Sequence, residues 1–106
     1  MKFYLAGTWQ ERDEKIEVRN PFNGNVLDTV PKANADDVET ALTAAVAGAN
    51  DMAATQGYDR SVILKRTAEL MRDRAEELAV TISSEEGKTL TESRGEVARS
   101  ITTIEL

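Results

Sequence analysis

RSVILKRTAELMRDRAEELAVTISSEEG, residues 60–87, sets the fold class, because its apolar positions recur at helical and not at strand spacing. Leu64, Ala68, Met71, Ala75, Leu78 and Ile82 alternate steps of four and three, with Ile63, Leu70 and Ala79 flanking the stripe. Asp59 is placed to cap the start, and Gly87 with Lys88 to stop the end. The spacing predicts one helix over residues 60–86, on the order of 40 Å long at ~1.5 Å per residue. One neighbouring helix cannot cover that length. Its remaining faces must meet a further helix or a surface outside these residues.

Upstream, Asn34 can cap a helix whose positive end suits Asp36 and Asp37, and Val38, Ala41, Leu42, Ala45, Val46 and Ala49 form one stripe. That stripe predicts a helix over 35–49, with Gly48, Asn50 and the polar run to Gln56-Gly57 opening a loop. Downstream, Thr89 and Glu92 have capping-box spacing, and Val97, Ile101 and Ile104 follow at i, i+4 and i+7, predicting a helix over 90–106. It ends Thr103-Ile104-Glu105-Leu106, with no glycine, asparagine or proline and with an acid at the negative end of the dipole. A helix that opens with a cap and lacks a stop reads as a chain truncated at its C-terminus.

The first thirty residues carry strand and turn signals. Phe3 to Leu5 is a short strand, Ala6-Gly7-Thr8 turns the chain toward Trp9, and Gln10 to Lys15 reads as a solvated charged loop. Ile16 and Val18 alternate with Glu17 and Arg19, Asn20-Pro21-Phe22-Asn23-Gly24 supplies turn residues, and Val26, Asp28 and Val30 resume a period of two. This is a hairpin over about 15–30, closed by Pro31, which cannot donate to a ladder. The expected architecture is α+β: short N-terminal strands and a β-hairpin, then three helices, in one domain spanning 1–106.

Composition narrows the function classes. The net charge is −6 and the thirteen basic residues are interspersed with acids, which argues against nucleic acid as a partner. The absence of cysteine removes disulfides and thiolate metal sites. No apolar run approaches the ~20 residues of a membrane span, and the N-terminus lacks a signal peptide's apolar region, so the default location is cytoplasmic.

Candidate chemistry is sparse. Gly87-Lys88-Thr89 looks like the tail of a phosphate-binding loop, but that motif needs a glycine where Ile82 stands. No G-x-G-x-x-G occurs. Asp36-Asp37, Glu76-Glu77 and Glu85-Glu86 are adjacent in sequence, so on a helix they diverge by about 100° and read as solvated faces rather than as a metal site. Nucleophilic catalysis has no Cys, no His and no serine in a strand-turn-helix setting. Trp9 and Phe22, at turn positions, read as anchors of the hairpin on a core. Catalytic residues and cofactor-binding residues are therefore both expected to be none.

The order of elements nonetheless resembles a known family. Leu5-Ala6-Gly7-Thr8-Trp9, then Ile16 through Val26 with its Asn20-Pro21-Phe22-Asn23-Gly24 turn, then Val30-Pro31-Lys32-Ala33 and Asp37-Val38, is similar to the opening of NAD(P)-dependent aldehyde dehydrogenases. Arg60, Arg74-Ala75-Glu76-Glu77-Leu78-Ala79, Glu85 to Thr89 and Glu96-Val97 continue the pattern. The resemblance implies the N-terminal segment of an α/β enzyme with a Rossmann-like cofactor domain, whose catalytic Cys and NAD or NADP site lie further along the chain. It implies a parent that oxidises a small-molecule aldehyde to a carboxylic acid through a Cys thiohemiacetal, with hydride transfer to NAD(P). The segment alone should be inactive and should pair with the remainder of the enzyme, in a homo-oligomeric parent. Glu96-Val97-Ala98-Arg99-Ser100-Ile101 and Asn20-Pro21-Phe22 look most like the branch containing lactaldehyde, non-phosphorylating glyceraldehyde-3-phosphate and phosphonoacetaldehyde dehydrogenases.

The same resemblance implies a monovalent cation site in the parent, formed by the Val18 or Arg19 carbonyl and the Glu96 side chain. Glu96 as a surface or capping acid is the simpler reading. The competing reading of the whole is a complete non-enzymatic helical interaction module that docks through its apolar helix faces.

Overall fold

Ala6 and Gly7, adjacent residues at positive φ (47° and 87°), fold the first two strands back on each other. In the computed structural model, which describes residues 1–106, β1 (Phe3–Leu5) pairs antiparallel with β2 (Thr8–Gln10), Tyr4 opposite Trp9. A two-residue loop with both residues at positive φ has the twist such a hairpin needs, and Ala6 adopts it despite its Cβ. The expected turn at Ala6-Gly7-Thr8 is therefore a hairpin loop, and Phe3–Leu5 does not stand alone as a strand.

The Tyr4 and Trp9 rings meet edge to face, 5.2 Å between centroids. Trp9 is 66% exposed and Phe22 is 92% exposed. Neither is the core anchor that the sequence suggests; Trp9 packs across the hairpin on its strand neighbour, an alternative that sequence spacing does not distinguish.

The chain forms two compact units. The first contains Met1–Arg19 and Val26–Thr55. Besides the first hairpin it holds β3 (Lys15–Arg19) and β4 (Val26–Pro31), antiparallel with Ile16 opposite Val30 and Val18 opposite Asp28, and irregular between Val18 and Arg19. Pro31, opposite Lys15, is the last residue of its strand, and the ladder continues as Lys32 N–H donates to the Glu14 carbonyl at 2.9 Å.

The helix of this unit, α1 (Ala35–Ala54), opens on a reciprocal capping box. Asp37 N–H donates to Asn34 Oδ1 at 2.9 Å, and Asn34 N–H donates to Asp37 Oδ2 at 3.0 Å. The helix runs five residues beyond the expected end at 49: Gly48 and Asn50 are tolerated inside it, since one interior glycine costs only about 1 kcal/mol and alanines surround both.

Asp37 does more than serve the dipole. Its side chain is buried, and Arg12 grips it from two nitrogens, Nε to Oδ2 at 3.1 Å and Nη2 to Oδ1. The Arg12 guanidinium also lies 5.3 Å from the Phe3 ring centroid. The stretch read as a solvated loop thus carries the clamp between the β-hairpins and α1, and Asp37 is not a solvated acid. A guanidinium fork matched to a carboxylate is the strongest common form of such a pair.

The second unit contains Asn20–Asn25 and Gln56–Leu106. The helix expected over 60–86 is two helices, α2 (Gly57–Asp73) and α3 (Ala75–Glu86), followed by α4 (Leu90–Glu105). The expected three helices are thus four. Arg74 (φ −112°, ψ 16°) interrupts the ladder, and its N–H donates to the Met71 carbonyl at 3.3 Å. α2 begins after Gln56, so Asp59 lies in its first turn and does not cap it.

Breaking the rod lets both pieces pack on α4. The core is Ala68, Ala79, Val97 and Ile101, with Met71, Ala75, Leu78, Ile82, Leu90 and Ile104 around it. Ser93 is wholly buried one turn before Val97, its hydroxyl satisfied by the Thr89 carbonyl at 3.2 Å. α4 opens on the expected capping box, Thr89 N–H donating to Glu92 Oε2 at 3.1 Å and Glu92 N–H to Thr89 Oγ1 at 3.3 Å.

The clamp gives the first unit an acid dependence. The Arg12 guanidinium, and next the Asn34 N–H, hold the Asp37 carboxyl below its ordinary range. A carboxyl lowered in the folded state contributes stability that is complete above its unfolded value, about 3.9, and is lost as pH falls through the folded one. Melting temperature measured from pH 6 to pH 2 should fall steeply below about pH 4, and Asp37→Asn should lower it at pH 6 while flattening that acid limb. An unchanged acid limb in the variant would remove Asp37 from this role.

Candidate functional site

Gly87, between α3 and α4, forms a corner of the second unit that carries a polar cleft. Gly87 ends α3 in the left-handed conformation (φ 76°), its N–H donating to the Ser83 carbonyl at 3.0 Å. The Asn20–Asn25 turn lies against this corner: a Cβ on Gly87 would stand 2.9 Å from Pro21 Cγ. Asn20, Phe22, Ser83, Ser84, Gly87, Lys88 and Thr89 line a shallow cleft of about 320 Å³.

The turn over the corner is internally bonded. Asn20 N–H donates to the Asn25 carbonyl at 2.9 Å and Gly24 N–H to the Asn20 carbonyl at 2.8 Å. Asn20 Oδ1 accepts the Phe22 N–H, and Asn23 Oδ1 the Asn25 N–H, each at 2.9 Å. Ser83 Oγ donates to the Lys88 carbonyl at 2.8 Å, tying the two sides of the corner together.

Lys88 is the cation of this cleft. Its Nζ lies 2.7 Å from Glu86 Oε2 and 2.6 Å from Glu96 Oε2, and these two carboxylates hold its ammonium pKa above the ordinary lysine range. The phosphate-loop reading of Gly87-Lys88-Thr89 has no basis here: the lysine is committed to carboxylates, and α3 leads in where the motif requires a strand. Glu96, one of the two expected cation ligands, is on α4 and its carboxylate is engaged by Lys88. Val18, the other, is on β3 opposite Asp28, next to Arg19 and the irregularity of the strand pair.

The other acids read as surface charges also have specific partners. Arg94 takes Glu76 with two nitrogens, at 2.9 and 2.6 Å, and lowers its pKa. Arg74 does the same for Glu77, again at 2.9 and 2.6 Å. No group of three or more His, Asp or Glu side chains converges to hold a metal ion. The hydroxyls of Thr40, Thr55, Thr67, Thr81, Thr102 and Thr103 each donate to the carbonyl four residues earlier in the chain. Hydroxyls spent on their own helices are not poised nucleophiles.

Large apolar side chains also stand uncovered. Val38, Leu42 and Val46 stand exposed at i, i+4 and i+8 on α1, and Val62, Ile63, Leu64 and Leu70 are exposed on α2.

A family model described as "Aldehyde dehydrogenase family" matches residues 9–106. The chain belongs to the aldehyde dehydrogenase family. It is 36% identical over 104 residues to glutarate-semialdehyde dehydrogenase of Pseudomonas putida, covering 96% of this chain and 22% of that one. It is 37% identical over 108 residues to malonate-semialdehyde dehydrogenase 1 of Bacillus thuringiensis, with coverages of 100% and 22%. The crystal structure of aldehyde dehydrogenase 21 from Physcomitrella patens, in complex with the reaction product succinate, superposes with a TM-score of 0.94 at 35% identity, covering 98% of this chain and 22% of that one. The chain thus spans about a fifth of the length of the relatives it matches. The aldehyde dehydrogenase resemblance and the α+β architecture both hold.

Sequence reasoning missed the Arg12–Asp37 clamp and the Glu86–Lys88–Glu96 bridge. The first joins residues 25 apart and carries no local signal. The second had one: Lys88 precedes the Thr89 cap of α4 and Glu96 lies eight residues on, about two helical turns, within reach of a lysine side chain. The corner itself is testable. Gly87→Ala meets both a left-handed backbone and the Pro21 ring, so equilibrium denaturation should show a loss of about 1–3 kcal/mol. Gly24→Ala, at φ 74° with nothing within 4 Å, should lose only the backbone part.

Proposed function

We propose that these residues form the N-terminal segment of an NAD(P)-dependent aldehyde dehydrogenase, serving as scaffold for a catalytic apparatus carried elsewhere in the enzyme. The observation that carries this reading is the match over residues 9–106 to relatives of which the chain spans only about a fifth. In the whole enzyme a Cys thiol adds to the aldehyde carbonyl, hydride leaves the thiohemiacetal for NAD or NADP, and water releases the carboxylic acid.

The residues here do not fit a nicotinamide site or a nucleophile. The chain has no Cys, no His and no glycine-rich dinucleotide loop, and its single cleft lysine is bound by two carboxylates. What this chain contributes is shape: a clamped hairpin and helix in one unit, a three-helix core in the other, and apolar helix faces available for the rest of the enzyme. In this segment the Glu96 carboxylate pairs with the Lys88 ammonium.

The substrate is a small aldehyde bearing a polar or anionic group at its far end. The two curated relatives are named for semialdehydes whose other end is a carboxylate, and the Physcomitrella enzyme holds succinate as product. The lactaldehyde and phosphonoacetaldehyde branch that the sequence resembles takes aldehydes of the same small, polar kind. The enzyme works in the cytoplasm as a homo-oligomer.

Two measurements test the reading. With succinate semialdehyde and NAD or NADP, the 106-residue chain should form no reduced nicotinamide above a no-protein control; aldehyde-dependent reduction would overturn the scaffold role. In the gene, the reading frame should continue past Leu106 into a cysteine-bearing segment, and a stop codon there would overturn the segment reading.

The uncovered faces of α1 and α2 yield a separate expectation. The isolated chain should enhance an apolar dye's fluorescence and elute from a sizing column as associated species. A dye-silent monomer with a cooperative melt would favour the self-standing interaction module instead.

A further inference from the structure

Asn23-Gly24 is the one asparagine–glycine pair in the chain; Asn20, Asn25, Asn34 and Asn50 precede Pro, Val, Ala and Asp. It sits at the exposed tip of the turn that lies on the Gly87 corner. Gly24 has no side chain to shield its backbone nitrogen, and nothing lies within 4 Å of where a Cβ would stand. Once the bond from the Gly24 N–H to the Asn20 carbonyl opens, solvent base can reach that nitrogen, and the amide of Asn23 is the adjacent electrophile along the chain. Asparagine is among the residues that heat and time degrade.

We propose that Asn23 is a self-modification site, converted to an aspartyl or isoaspartyl residue by attack of the Gly24 backbone nitrogen, and that the hydrogen bonds of the Asn20–Asn25 turn gate this reaction. The Gly24 nitrogen, giving its proton to solvent base, bonds to Asn23 Cγ and closes a five-membered imide. The Cγ–N bond of the side-chain amide breaks, and its nitrogen leaves as ammonia. Water then opens the imide at either carbonyl, so the net change is one water consumed and one ammonia released, with no electron transfer.

Two bonds oppose ring closure in the folded turn. The Gly24 N–H is held by the Asn20 carbonyl at 2.8 Å, and Asn23 Oδ1 is held by the Asn25 N–H at 2.9 Å. Both groups that must react are thus committed to other partners. Reaction proceeds through the opened turn, so its rate follows the free energy of local opening.

The product is disruptive. It adds a negative charge to a chain already at −6, and the isoaspartyl form lengthens the backbone by one carbon inside a six-residue turn. That extra atom separates the Asn20 and Asn25 backbone groups that close the turn, and with them the seat of Pro21 on Gly87.

The test is timed incubation of the chain at mildly alkaline pH, in native buffer and in denaturant, followed by peptide mass mapping and enzymatic methyl labelling of isoaspartate. The expected result is NH₂-to-OH replacement at position 23 ahead of every other asparagine, slower in the folded chain by at least about tenfold, which corresponds to about 1.4 kcal/mol of opening. Asn23→Gln should abolish the early product and leave the slower sites unchanged. Earlier modification at Asn20, Asn25, Asn34 or Asn50 would overturn the site. Equal rates in native buffer and denaturant would overturn the gate. The result is independent of any enzymatic role.

Discussion

Ala68, Ala79 and Ser93 have no accessible surface, and they sit where α2, α3 and α4 converge. Helices whose contact positions are this small approach closely, and larger side chains there would push them apart. The larger residues then fill in around the close contact: Val97 and Ile101 on α4, with Met71, Leu78, Ile82 and Leu90 beside them. Ser93 would be a costly occupant of such a place without a partner, and its bond to the Thr89 carbonyl meets that need inside its own helix. The same Thr89 caps the helix, so one residue both starts α4 and satisfies its most buried polar group.

That constraint explains why the long apolar stripe does not form one rod. The stripe passes through Met71, Ala75, Leu78 and Ile82 without losing register, and no glycine or proline marks the interruption at Arg74. Packing on α4 overrides a propensity that favours continuity. Periodicity therefore located the buried face from Ala68 to Ile82, but it also counted Ile63, Leu64 and Leu70, which stand exposed, and it was silent about the bend. The opposite error occurred at Gly48 and Asn50, two residues that resemble punctuation but are carried by the alanines around them through to Ala54.

Charge was the least legible layer. The Thr89 capping box and the Asn34 cap are written within four residues and could be read directly, whereas the return bond from the Asn34 N–H to Asp37 was not. Arg12 and Asp37 are joined only by the fold, and a charged run beside a short strand offers no sign that one of its members will be buried. Lys88 had a visible local meaning, as part of a helix stop, and the structure adds a second one between Glu86 and Glu96. The lack of Cys and His, by contrast, needed no structure, because it is a property of composition.

Of the four helices, α1 and α4 carry reciprocal caps, while α2 and α3 begin without any side-chain cap. Helix initiation is the slow, improbable step, and a cap that closes within one turn lowers that barrier before distant residues meet. The two hairpins are equally local, each pairing neighbours in sequence. Order can thus begin at several independent points. A segment organised this way acquires its shape quickly and by short-range search, which limits the time its bare valines and leucines spend in an extended, adhesive chain.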